Sequence, residues 1–156
     1  MKPRTVDGLA AMDRRSCVRD CRDIQTQRKL QRLATVPGIG PLVATALFSG
    51  VGDPLQFKNG RQFAAWLGPT PKQRSSGGKS KLSGITKHGD TYLRTLLVQG
   101  ARAVMRFAGR RDDRHSRWIK AVMQRRHVSV AAIPLANRTA RIAWAVLTSN
   151  ECFKLA

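Results

Sequence analysis

The sequence predicts an all-α domain with a strongly basic surface. Apolar residues recur at helical spacing in several separate segments, and no stretch alternates apolar and polar residues at period two. Gly, Pro, Asn and Asp punctuate those segments where helices would start and stop. The order is a helix-hairpin-helix, then a basic Gly/Ser loop, then a small helical bundle.

Residues 1–26 are polar with weak apolar patterning (Leu9, Met12, Cys17, Ile24) and read as an arm or part of a helix. The domain proper runs over 27–150, and 151–156 is a tail. From Gln27 an amphipathic segment carrying Leu30, Leu33 and Ala34 leads into Val36-Pro37-Gly38-Ile39-Gly40, and a second helix follows from Pro41. Pro41 suits the first position of a helix, where its missing N–H is not needed. Asn59 is a candidate N-cap for a short helix burying Phe63, Trp66 and Leu67, which Gly68 and Pro69 end. Residues 68–89, rich in Gly, Pro, Ser and Lys/Arg, lack periodicity and read as a long loop, either functional or disordered.

Asp90 then opens the most regular helix, with Leu93, Leu97, Gly100, Val104 and Phe107 on one stripe and Gly109 at its end. Residues 112–126 form a further helix, which Asp112 and Asp113 begin favourably, and residues from about 130 to 149 form the last. Pro134 must lie in its first turn or kink it.

Charge is the first pointer to function. Of 156 residues, 29 are Lys or Arg and 9 are Asp or Glu, a formal net charge of +20. Cations in this excess repel one another and destabilise a small domain unless a polyanion neutralises them. They run along the whole chain among Trp and Gly, not in one juxtamembrane block, which favours nucleic acid over a membrane surface. No apolar run approaches the ~18 residues of a membrane span, and no signal peptide is recognisable. Cys17, Cys21 and Cys152 are odd in number and lack CxxC spacing, and His88, His115 and His127 are scattered, so no metal site is expected. Reduced thiols place the chain in the cytoplasm, with the nucleoid.

Three groups of residues are candidates for function. In the hairpin Val36–Pro41, backbone N–H groups at Gly38, Gly40 and the second helix's N-terminus would bind a DNA phosphate without reading sequence. An ordinary αα-turn would look similar, but the charge favours phosphate binding. The second group is the run Lys72-Gln73-Arg74-Ser75-Ser76-Gly77-Gly78-Lys79-Ser80-Lys81. By composition alone it is a solvated linker. A sharper reading has a serine hydroxyl attack a phosphodiester, with Lys72, Arg74, Lys79 and Lys81 around it. Glu151 is the only Glu in the chain, and no paired carboxylates suited to Mg²⁺ are evident. The third group is Arg94, Arg102 and Arg106 on one face of the 90–108 helix, preceded by Lys87 and His88. Phosphate contact and plain solvation are equally good readings of that face. His115 and His127 have no partner in sequence and read as surface residues. Trp66, Trp118 and Trp144 sit at apolar spacing and read as core.

In order, Leu33-Ala34-Thr35-Val36-Pro37-Gly38-Ile39-Gly40-Pro41, Gly52-Asp53-Pro54 and Phe63-Ala64-Ala65-Trp66-Leu67-Gly68 resemble the C-terminal domain of the IS one-ten type of bacterial transposase. So do Ser75-Ser76-Gly77-Gly78-Lys79, Ile85-Thr86-Lys87-His88-Gly89-Asp90 with Tyr92-Leu93-Arg94, and Leu135-Ala136-Asn137-Arg138 with Ile142-Ala143-Trp144. The resemblance covers roughly residues 27–150. It implies a DNA recombinase that moves an insertion sequence through a covalent serine–DNA intermediate. The family's serine maps onto Ser76, with Ser75 the fallback. In that family a nuclease-like domain supplies the acidic residues that bind Mg²⁺, a structured guide RNA selects the DNA, and the protein acts as a homo-oligomer. Residues 1–26 are too few for such a domain, so the expectation is a truncated or split transposase. It would bind nucleic acid but need the acidic half for chemistry. The alternatives are a non-catalytic helix-hairpin-helix module and a structural RNA-binding protein of ribosomal type.

Overall fold

The computed structural model describes residues 26–76, 79–149 and 151–153, with 74, 76 and 79–82 described at the level of the backbone. The arm at 1–25, with Cys17 and Cys21, and the end of the tail at 154–156 lie outside the described residues.

The first helix, α1, occupies residues 26–34 and buries Leu33. Val36 and Ile39 anchor the turn that follows by burial, and the Ile39 N–H closes onto the Val36 carbonyl at 3.0 Å. Helix α2 (Pro41–Val51) starts with Pro41 and buries Val43, Ala44, Leu47 and Val51. In the connection, the Asp53 carboxylate accepts the Leu55 N–H at 2.9 Å and starts a single 3₁₀ turn, Pro54–Gln56. Helix α3 (Gly60–Leu67) is bounded as its sequence requires. The Asn59 side chain accepts the Gln62 N–H at 2.9 Å, and Gly68 closes the helix in the left-handed conformation. Phe57, Phe63 and Trp66 pack ring to ring at 5.2–6.0 Å beside α3.

Residues expected to form a loop contain a β-hairpin instead. Strand β1 (Pro71–Ser76) pairs antiparallel with β2 (Lys79–Ile85), with an irregularity in register between Pro71 and Gln73. Among the described side chains of the strands, Lys72, Gln73, Ser75 and Ser83 are exposed and Ile85 is half-buried, so period-two burial does not mark them in sequence. The fold class stands, since every other element is helical.

Helix α4 (Thr91–Ala108) is capped by Asp90, whose carboxylate accepts the N–H groups of Tyr92 and Leu93 at 2.7 and 3.3 Å. Its buried stripe is Leu93, Leu97, Ala101, Met105 and Ala108. The expected stripe ran through Gly100, Val104 and Phe107; the real one is rotated, leaving Phe107 exposed. Gly100 and Val104 of the expected stripe still carry a contact, because the α1–α2 turn docks on them. Helix α5 (Arg114–Arg125) is capped by Asp113, which takes both the N–H and the hydroxyl of Ser116. Helix α6 (Val128–Thr148) starts earlier than expected because the His127 ring accepts the Ser129 N–H at 3.3 Å. Pro134 therefore lies inside α6 and not in its first turn. It cannot donate to the Val130 carbonyl, a loss borne on an exposed side of the helix.

Helix α6 is the centre of the molecule. Helices α3, α4 and α5 pack against it, and α2 packs on α4. Small residues (Ala131, Ala132, Ala136, Ala140, Ala143) make its buried face and admit this close packing. After α6 the chain returns to α1, where the Phe153 N–H meets the Thr35 hydroxyl at 3.2 Å. Among the described residues no helix is long and apolar enough to cross a membrane.

Candidate nucleic-acid interface

The two glycines of the α1–α2 turn have different jobs. Gly38 has φ +89, and a Cβ there would press on the Gly100 carbonyl and Val104 at 3.1 Å. Gly100 in turn would collide with the Gly38 carbonyl if it carried a side chain. Gly38 is therefore required by its conformation and by the contact with α4. Gly40 caps α2 in an extended conformation, offers no side-chain hydrogen bond, and has open space around it. Of the two, Gly40 is where another molecule can come close to the backbone.

The β-hairpin has a rigidly fixed base. Gly68 and Gly89, both at φ +85, sit where any Cβ would strike the His88 and Trp66 carbonyls respectively. Three side chains add to the closure. The Thr86 hydroxyl donates to the Gly68 carbonyl at 3.2 Å, Asn137 on α6 donates to the Pro69 carbonyl at 3.1 Å, and Arg94 on α4 donates to the His88 carbonyl at 3.1 Å. Arg94 also reaches the Thr91 hydroxyl at 3.1 Å and is only 9% exposed. Its guanidinium thus holds the hairpin's base. Arg102, half-buried, and Arg106, exposed, lie one turn apart on α4, so the expected arginine face contracts to these two. Lys87, exposed at the hairpin's end, has φ 57, and Lys72 is exposed on β1.

Strand register divides the hairpin's residues between two faces. Arg74 pairs with Lys81 and Ser76 with Lys79, so these four share one face. Gln73 pairs with Leu82 and Ser75 with Ser80, which puts these on the other, uncharged face. A 2.9 Å hydrogen bond from the Gln73 amide to the Ser75 hydroxyl fits that division, since residues two apart share a face. The adjacent serines that the sequence leaves ambiguous thus take different register positions: Ser76 falls on the face to which the register assigns Arg74, Lys79 and Lys81, and Ser75 on the other.

No group of three or more His, Cys, Asp or Glu able to hold a metal ion occurs among the described residues. The Mg²⁺ implied by the resemblance has no ligand set in that part of the chain. Several of the few carboxylates are already committed, with Asp53, Asp90 and Asp113 each capping a helix. The Ser116 hydrogen bond holds the Asp113 carboxyl below its ordinary range. His115, expected at the surface, is half-buried and stacked on Trp118 at 6.4 Å. Burial first, and then the Arg138 charge, hold its pKa below the ordinary 6.5. Trp118 is half-buried, with the Arg138 guanidinium 5.0 Å from its ring centre. Sequence reasoning missed Thr86 and Asn137 because their partners lie far along the chain.

A basic helical domain that projects an anchored, cationic hairpin is the class of protein this geometry defines. The chain belongs to the transposase IS116/IS110/IS902 family, whose sequence model matches residues 30–118. It is 50% identical over 131 residues to a probable family 20 transposase of Pseudomonas aeruginosa, covering 84% of this chain and 39% of that protein. It is 44% identical over 124 residues to the transposase for insertion sequence element IS1111A of Coxiella burnetii, covering 80% and 34%. The transposase for insertion sequence element IS1328 of Yersinia enterocolitica is 45% identical over 123 residues, covering 79% and 37%. The chain thus spans roughly a third to two fifths of the length of these curated relatives.

Proposed function

We propose that this chain is the DNA-binding and catalytic-serine domain of an insertion-sequence transposase, with Ser76 as the nucleophile. The observation that supports Ser76 over Ser75 is the register, which groups Ser76 with Arg74, Lys79 and Lys81. The Ser76 Oγ attacks the phosphorus of a DNA phosphodiester. An Oγ–P bond forms, the bond to one sugar oxygen breaks, and the strand stays linked to the protein. The hydroxyl proton passes to a base and the departing oxygen takes up a proton. Neighbouring cations stabilise the charge that accumulates on the phosphoryl oxygens. No metal-dependent step is assigned to this chain. A nuclease-like domain with Mg²⁺ ligands, a structured guide RNA and assembly into a homo-oligomer complete the proposal, on the strength of the family alone.

The test is a covalent adduct on denaturing gels, with nicked insertion-sequence-end DNA and the acidic nuclease-like domain supplied in trans. Ser75→Ala retains the adduct and Ser76→Ala abolishes it. An adduct formed by the double alanine variant overturns the assignment. A second, non-catalytic reading rests on the open approach to Gly40. In it the turn grips phosphates without chemistry, and binding falls steeply with salt and with Gly40→Val but is indifferent to Ser76→Ala.

A further inference from the structure

Helix α3 begins against α6. A Cβ on Gly60 would lie 3.1 Å from the Arg141 carbonyl and 3.3 Å from the Trp144 ring. This contact brings the start of α3, where Arg61 follows Gly60, against the Arg141 backbone. One turn earlier on α6, Arg138 lies over Trp118 of α5 at 5.0 Å. Between α3, α5 and α6 runs a groove of about 900 Å³, on which all three arginines open together with Asn59 and Asn137. Among the described residues no carboxylate lines it. None of the three guanidinium groups has an ion pair or a hydrogen bond among the described residues. Three cations that share one concavity, with no ion-pair partner among the described residues, focus the field on whatever enters, which separates this groove from an ordinary solvated helix face.

We propose that this groove binds an unpaired segment of nucleic acid. Arg61 and Arg141, both exposed, take successive phosphates. The planar guanidinium of Arg138, packed on the Trp118 ring on which His115 also stacks, offers a stacking surface for a base. Two amide groups can meet base edges. The Asn59 Oδ1 is occupied by the Gln62 N–H and the Asn137 Nδ2 by the Pro69 carbonyl, which leaves the Asn59 NH₂ and the Asn137 Oδ1. A base can stack on Arg138 only if it is not already stacked in a duplex, so the ligand is single-stranded. RNA and DNA share this chemistry. The site uses neither Ser76 nor the glycine turn, and it stands or falls apart from both.

Fluorescence anisotropy with labelled single-stranded RNA, single-stranded DNA of the same sequence, and the corresponding duplex tests it on the full chain. The Arg61→Gln/Arg141→Gln double variant should weaken single-strand binding by about tenfold or more and lower the salt slope by about 1.4, from two phosphates at ~0.7 each. Arg138→Gln should weaken single strands with a smaller change in slope. Duplex binding should change little in either variant. Arg61 and Arg141 are exposed and Arg138 is half-buried, and thermal melts check that all the variants fold. Whichever of RNA or DNA binds more tightly identifies the source of the strand. Unchanged single-strand affinity in the double variant, or an equal loss for single strand and duplex, overturns the proposal.

Discussion

Arg94 shows how a charged residue can be misread from its spacing. It shares a helix with Arg102 and Arg106, yet it is buried and its guanidinium bridges the His88 carbonyl and the Thr91 hydroxyl. A hydrogen bond to a charged group contributes about 1.5–3 kcal/mol, so Arg94→Ala should cost about 2 kcal/mol in urea unfolding. Arg94→Lys should fail to restore it, because one ammonium cannot reproduce the fork. Arg106→Ala, by contrast, should leave stability within about 0.5 kcal/mol, as exposed substitutions do. Equal losses for the two would remove the distinction. His115 supplies a second prediction at this scale. Its folded pKa lies below 6.5, chiefly through burial, so the folded state favours the neutral ring. Stability from that preference is present above the unfolded value and lost as pH falls through the folded one. Tm should drop as pH falls below about 6.5, and by less in His115→Gln. Parallel curves for the two proteins would show that another group titrates.

At the scale of elements, the helices were legible where side chains announce their own ends. Asn59, Asp90 and Asp113 each sit one residue before their helix, and Gly68 closes α3, so local chemistry set these boundaries. The hairpin was not legible by apolar patterning. Its available signal was Gly77-Gly78 between Ser76 and Lys79, a two-residue connection of the kind that favours tight hairpins. What orders its base comes from α4 and α6, through Arg94 and Asn137, and no local pattern reveals that. The candidate serine was legible only as one of an adjacent pair; register, a property of two strands together, separates them. The docking of the glycine turn on α4 is equally non-local, and it yields a prediction. Gly100→Ala improves intrinsic helix propensity by up to ~1 kcal/mol, yet its methyl would occupy the position of the Gly38 carbonyl. Overpacking of this kind costs ~1–3 kcal/mol, so the collision should win and lower stability. A rise in Tm for Gly100→Ala would show that the turn is free to move off α4.

At the scale of the whole molecule, the charge imbalance decides how the domain responds to its surroundings. Asp53, Asp90 and Asp113 serve helix ends, and the Lys120–Asp112 pair spans 3.9 Å with Asp112 largely exposed, so it offsets little. With +20 formal charge, repulsion among the remaining cations opposes the compact state over a range comparable to the Debye length. Burial of small apolar side chains along α6 must overcome it. Screening should therefore stabilise: raising NaCl from about 0.05 to about 0.5 M shortens the Debye length from ~14 to ~4 Å and should raise Tm by several degrees. If the folded arrangement of cations binds a polyanion more tightly than the unfolded chain does, heparin should raise it further at low salt and lose that effect at high salt. The two responses have different origins and must cross. Salt alone stabilises by weakening repulsion, whereas salt added with the polyanion destabilises by releasing it. A Tm that fell with salt in the absence of polyanion would mean that attraction already outweighs repulsion within the chain. The cations would then be structural, and a nucleic-acid partner would no longer be needed to account for them.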